Sequence, residues 1–405
     1  MEGRKKLIID IIPIYISIFL SSIPFGMMSC LAAIKMEHHV GNSILISLCS
    51  ATQILSGVFI SKYLPGIARI FGTSKAIYIS TIAAALASLA MYKYEGYFLW
   101  IMVIFSFGAS IFCFSVIRQT IILDMAPPNH RAILVSTGGM FMSIGNALGP
   151  IILNYIGHNN FLSNLVAALF YISSIFAISY IGDKSGVVKE NKRIGLFRYI
   201  RNSPKIMFGG FTFSYSQASI NAFLIIYGIK SGMMENQASL LFSVLLFGTI
   251  FSLPMGYLTD TINRRFLMIC SSFGSLVCAI LLLLTDDLKI TYALLFLMFG
   301  LMIGIKLPAL ILINEKYKPT QRLAVNSAFS RFCFIGSIFG IFCTGAIMEL
   351  IGPYGLWISV ILILFLYLSF SICNYWHKFV SKTLLFNSFF IKITPKLQRK
   401  NYEIF

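Results

Sequence analysis

Acidic side chains are scarce in this chain. Its 405 residues hold 14 Asp and Glu against 32 Lys and Arg, and only 11% of the residues are charged. Soluble domains carry about a quarter charged residues, so this surface is not built to face water alone. No acid lies in the middle of a long apolar run. Asp10, Asp124, Asp260 and Glu315 sit near one set of run ends, and Glu37, Glu95, Glu235, Asp286, Asp287 and Glu349 near the other. A carboxylate proton relay at mid-membrane depth is therefore unsupported. Cysteine chemistry is equally thin. The 8 cysteines all fall in apolar runs, with no C-x-x-C and no Cys/His cluster, which argues against a disulfide framework or a zinc site. There is no nucleophile–base pair, metal cluster or phosphate loop in a suitable context. No enzyme, cofactor or metal is expected.

What the chain does have is apolar length: 58% of its residues are hydrophobic. A membrane span needs roughly 20 such residues, and runs of that size recur about twelve times. The first run is too long, and its interior too polar, for a cleavable signal, so it reads as a retained span.

The net charge of +18 could suggest nucleic acid, but its distribution argues against that. Lys35, Lys93, Lys230 and Lys289 are the cations of one set of connecting segments, and Arg118, Lys306 and Arg331 lie within runs. The rest of the 32 fall on the other side, including Arg4, Lys5, Lys6, Lys192 and Arg193. By the positive-inside rule, the N-terminus, the C-terminus and this basic side are expected in the cytoplasm. No nucleic-acid partner is expected; the bilayer is.

The stretch Gly256–Arg265, G-Y-L-T-D-T-I-N-R-R, joins two apolar runs. Asp260 can sit at a neighbouring helix N-terminus, and Arg264 and Arg265 hold the loop inside. Pro65–Lys75 occupies the matching place earlier in the chain, with Arg69 where Asp260 would be. A constant offset of 191 positions relates the two. It also links Gly57 to Gly248, Pro128 to Pro319, Arg131 to Arg322, Gly145 to Gly336 and Gly149 to Gly340. Two parallel repeats of about six spans follow. The boundaries read 1–181 for the first half, 182–204 for a basic linker, 205–376 for the second half and 377–405 for a basic tail.

The fifth run contains G-N-A-L-G-P, Gly145–Pro150, whose glycines four apart make a flat face for close helix packing; Gly336 and Gly340 repeat it. We expect a helix-packing seam between the halves there. Polar breaks at Pro24 with Gly26, and at Pro308, could open helices at mid-depth.

The Gly256–Arg265 stretch resembles the signature loop of the major facilitator superfamily, G-x-L-x-D-x-x-G-R-[RK], with Asn263 in place of the second glycine. Gly145–Pro150 resembles the fifth-span segment of many exporters of that superfamily. Residues 313–340 resemble small, poorly characterised bacterial members related to drug and sugar exporters. The resemblance departs on the fourth span, where Ile104 stands in place of an arginine tied to proton-coupled export and Phe107 in place of a common glutamine. It implies an all-α membrane fold of twelve helices in two pseudo-symmetric six-helix halves, with spans one, four, seven and ten lining a cavity. It also implies a gate in which Asp260, with Gly256, Arg264 and Arg265, meets the N-terminus of span five near Arg131.

A charge inside a bilayer costs a few kcal/mol even on the lenient scale, so three cations without a deep anion are informative. Arg118 lies about 9 Å, and Lys306 about 13 Å, from the basic end of its span. Arg331 lies about two turns inside and can also snorkel to the surface. Tyr215, Gln217 and Asn221 on span seven can hydrogen-bond a solute or act as polar glue between helices. These six are the candidate substrate-binding residues. We therefore expect a monomeric secondary transporter in a bacterial cytoplasmic membrane. Its cargo would be a small organic anion or anionic amphiphile, with a proton or counter-ion as coupling partner. Hydrophobic-compound efflux and a non-transporting receptor are the other readings. The sequence E-H-H at 37–39 reads as a solvated loop.

Overall fold

In a computed structural model, placement is described for residues 2–93, 96–125, 131–158, 160–179, 201, 203–317 and 322–372. These form twelve helices and no strand: α1 Glu2–His39, α2 Ser43–Phe71, α3 Thr73–Ala90, α4 Tyr97–Met125, α5 Arg131–Ile156 and α6 Phe161–Ser179 in the first half. The second half has α7 Pro204–Lys230, α8 Glu235–Thr261, α9 Arg264–Leu284, α10 Leu288–Lys316, α11 Arg322–Ile351 and α12 Gly355–Ile372. Ten of them are long and apolar enough to cross a membrane. Helices satisfy their own backbone groups, which is why such runs take this form in a bilayer. Most of the expected linker 182–204, and all of the expected tail 377–405, lie outside the described residues.

Each half is stitched by the same seam. A Cβ added at Gly145 would lie 2.7 Å from Phe19 O on α1, and one at Gly336 would lie 2.7 Å from Phe211 O on α7. Gly149 abuts Ile23 O and Met27 N on α1, and Gly340 abuts Tyr215 O on α7. These glycines let two backbones approach where any side chain would force them apart. The expected location is thereby corrected: Gly145, Gly149, Gly336 and Gly340 pack span five on span one, and span eleven on span seven, inside each half. Small residues at this depth serve the closest helix pair, and the pairs between halves lie elsewhere. The main ones are α2 with α11 and α5 with α8, with α1 against α7 behind them.

Three local expectations also change. α1 and α10 run unbroken through Pro24 and Pro308; in α1 the Ser22 hydroxyl bonds Ile18 O at 2.7 Å beside the proline. The break falls in α8 instead, where Gly248–Phe251 tightens into a 3-10 turn between two α segments. Pro254 has no N–H for the Ile250 carbonyl, and a tighter turn before it re-pairs the chain. The two signature-like stretches are mostly helical: α2 continues to Phe71 before Gly72 turns with φ 80, and α8 continues to Thr261. Asn263 accepts from Arg265 N at 3.0 Å and caps α9. The residue that departs from the superfamily pattern thus starts the next helix.

Candidate functional site

The helices enclose a cavity of about 680 Å³ between the halves, within the range of a pocket for a single drug-sized ligand. α1 contributes Ser21, Ser22 and Phe25; α2 contributes Gln53; α4 contributes Phe107, Phe114, Arg118 and Gln119. α5 adds Asn146, α7 adds Gln217 and Asn221, and α11 adds Phe334 and Ser337. Among the described lining residues Arg118 is the only charged one.

Arg118 is held by hydroxyls rather than by an acid. It is 2% exposed and donates to Ser21 Oγ, to Ser17 O at 3.4 Å and to Ser174 Oγ at 3.4 Å. Its guanidinium carbon lies 4.5 Å from the Phe114 ring centroid, a cation–π distance. Its Nε has no hydrogen-bond partner. Serine oxygens orient the guanidinium without cancelling its charge, so the field reaches into the cavity.

The other candidate residues divide. Gln217 and Asn221 reach the cavity one helical turn apart on α7. Tyr215 does not: its hydroxyl bonds Ser359 Oγ at 2.8 Å in a buried cluster with Thr344 and Ser219. Lys306 is exposed outside this cavity wall, on the side of α10 turned to α7, with Nζ 4.9 Å from the Phe213 ring. Arg331 is exposed near the start of α11 and is absent from the lining. Sequence reasoning passed over Gln119 and the aromatic wall of Phe25, Trp100, Phe107, Phe112, Phe242 and Phe334. Phenylalanine is too common in apolar spans to signal a wall.

The cavity is closed at one end by bonds between the halves. Asn42 Nδ2 and Ser43 N donate to the Glu349 carboxylate at 3.1 and 2.8 Å. Lys230 donates to Gly41 O and Ser43 Oγ and lies 3.7 Å from Glu37. Asn154 donates to Asn236 O at 3.1 Å and accepts from Ser239 at 2.6 Å. Ser47 reaches Ile341 O, and His38 and His158 both face Glu235. All lie at the end away from the basic segments. Toward the basic end α5 and α8 part, among the described residues. α5 packs along Glu235–Phe247 of α8, barely at its 3-10 turn, and not appreciably on Ser252–Thr261. There Arg264 bonds Glu315 and Thr259 O within the second half. Asp260 is exposed in a shallow pocket with Gly256 one turn before it, and it has no ion-pair partner among the described residues. The Arg131 side chain lies outside them.

A two-half helical bundle enclosing a cavity that is bridged at one end and, among the described residues, not at the other has the form of a multi-pass secondary transporter. A family model of the Major Facilitator Superfamily matches residues 14–245 and again residues 206–382; the chain belongs to that superfamily. Among solved structures it is similar to a variant of the nucleoside transporter NupG, at TM-score 0.74 and 13% identity over 89% of this chain and 99% of that one. It is also similar to a bacterial homologue of the human lysosomal transporter Spinster in an inward-facing, unoccupied conformation, at TM-score 0.68 and 11% identity over 90% and 95%. A POT family transporter in complex with 5-aminolevulinic acid gives TM-score 0.72 and 11% identity over 90% and 95%. No curated protein matches the sequence.

Proposed function

We propose that the protein moves a small organic anion with an apolar body across the cytoplasmic membrane by alternating access. The observation that carries this is the cavity's charge: one buried, acid-free Arg118 among amides, hydroxyls and aromatic rings. A carboxylate or sulfonate entering there gains charge-assisted bonds that water alone would otherwise supply. The phenylalanine and tryptophan wall receives the apolar remainder. Gln53, Gln119, Asn146, Gln217 and Asn221 offer neutral hydrogen bonds for orientation. Lys306, one helix away and exposed, is a second cation on the route rather than in the pocket. With the basic end placed inside by its lysines and arginines, the state described is inward-open.

The test is flux in proteoliposomes across matched anionic, neutral and cationic aromatic solutes. Anion flux in Arg118→Gln should fall about tenfold or more, from losing a charged hydrogen bond of roughly 1.5–3 kcal/mol. Lys306→Gln should weaken it less. Flux of cationic or neutral dyes alone, unchanged in Arg118→Gln, would overturn the anion reading in favour of hydrophobic-compound efflux, which the aromatic wall alone could serve.

A further inference from the structure

Glu235 begins α8 and is approached from the other half by two imidazoles that differ in one respect. His38 at the end of α1 places Nε2 2.7 Å from Oε1, with its side chain 52% exposed. His158 in the α5–α6 turn places Nδ1 3.4 Å from Oε2, with its side chain 7% exposed. The His158 Nε2 is buried and has no hydrogen-bond partner. A neutral ring carrying its proton on Nδ1 faces Glu235 with a donor and leaves Nε2 as an unmet acceptor. A second proton would bury an N–H with no acceptor and put a charge on a ring shut away from water, which costs more. Protonated His38, half in water, keeps access to both Glu235 and solvent.

We propose that His158 is a proton-binding site that operates the gate at this end of the bundle. Neutral, it lets the halves close over Glu235; protonated, it leaves for water and the halves part. The ligand is the proton, which makes this the coupling site in a chain whose spans hold no central carboxylate. Burial pulls the His158 pKa below the ordinary imidazole value of 6.5, and the Glu235 carboxylate offsets this only in part. The closed end then binds a proton less readily than the open one. Its stability is whole above the ordinary imidazole pKa and drains as the pH falls through it. The charged or titratable groups around the site are Cys30, Glu37, His38 and His39 on α1, Lys230 on α7, Glu235 on α8 and Glu349 on α11. The inference does not depend on the cargo.

The test places spin labels at Tyr155→Cys and Met234→Cys, both well exposed and on opposite halves at this end, in a cysteine-free full-length chain in nanodiscs. One short distance is expected at about pH 7.5. A longer population should grow about fivefold or more by about pH 5, with its midpoint between about 5 and 6.5. His158→Gln should hold the short distance at both pH values, with His158→Asn as the second neutral variant, while His38→Gln keeps the acid response. An unchanged wild-type distance overturns the proposal. So does a response that survives in the His158 variants or disappears in Glu37→Gln. If neither His158 variant folds, a wild-type midpoint near about pH 4 assigns the response to a carboxylate and overturns it, while one near the imidazole range supports it.

Discussion

The two ends of the bundle are held by different chemistry. At one end, Glu37, Lys230, Glu235 and Glu349 bridge the halves through bonds to α1, α2, α5 and the turns beside them. At the other, Arg264 and Glu315 pair within one half, and Asp260 is exposed without an ion-pair partner among the described residues. The difference teaches that the fold's stability and the transporter's state rest on separate contacts. Glycine seams inside each half hold α1 against α5 and α7 against α11. Polar bonds and close helix packing join the halves at the first end, and a few kcal/mol of such contacts suffices to populate one of two states.

The strongest way to break the comparison is to make one end permanent. Asn154→Cys with Ser239→Cys, in a cysteine-free chain, sits where the two side chains touch at 2.6 Å. Bridging them with a short thiol cross-linker should reduce transport about a hundredfold or more, because alternating access needs this end to open, and reductant should restore it. Full flux with the bridge in place would separate closure of this end from transport.

Glycines sharpen the same contrast one step lower. Gly345 on α11 abuts Ser43 O and Ser47 on α2, so it lies between the halves; Gly145 lies within one. Gly345→Val should disfavour the closed end by about 1–3 kcal/mol of overpacking, lengthening the Tyr155–Met234 distance while leaving Tm nearly unchanged. Gly145→Val should do the reverse, lowering Tm by several degrees and leaving the distance distribution alone. Equal effects on both readouts would show that the halves do not move as bodies.

Much of the architecture was legible in the chain. Apolar run lengths marked the spans, and the 191-residue offset paired Gly145 with Gly336 before either touched a neighbour. What the offset could not tell was which helix each glycine faced, since sequence spacing carries no partner. Arg118 stood out because an unpaired charge in an apolar run is expensive wherever it points. Lys306 and Arg331 stood out for the same reason, yet neither lines the cavity; depth is readable from a helix, but facing is not. Tyr215 was legible as polar and illegible as already satisfied, because Ser359 lies 144 positions away. The histidine–glutamate contacts were hidden altogether. His38 ends α1, His158 lies in the α5–α6 turn and Glu235 begins α8, and only the closing of one half against the other brings the histidines to the glutamate.

The smallest expected effect is at the open end. Asp260 has no ion-pair partner among the described residues, so Asp260→Asn should cost this state almost nothing. In the opposite state, the resemblance to the superfamily's loop puts its carboxylate at the N-terminus of α5, where an anion is worth about 0.3–1 kcal/mol, and up to about 2 when partly buried. Losing it should favour the state described above by a few-fold, or at most some thirtyfold on that same scale. The Tyr155–Met234 labels should then report a larger short-distance fraction at acid pH, with anion flux reduced by no more than the same factor. The effect should be absent from Arg69→Asn, since a cation at the matching place in the first half cannot favour a helix N-terminus. If Asp260→Asn leaves the populations where they were, the open end has no latch of this kind, and the unequal chemistry of the two ends means that only the His158 side is gated by charge.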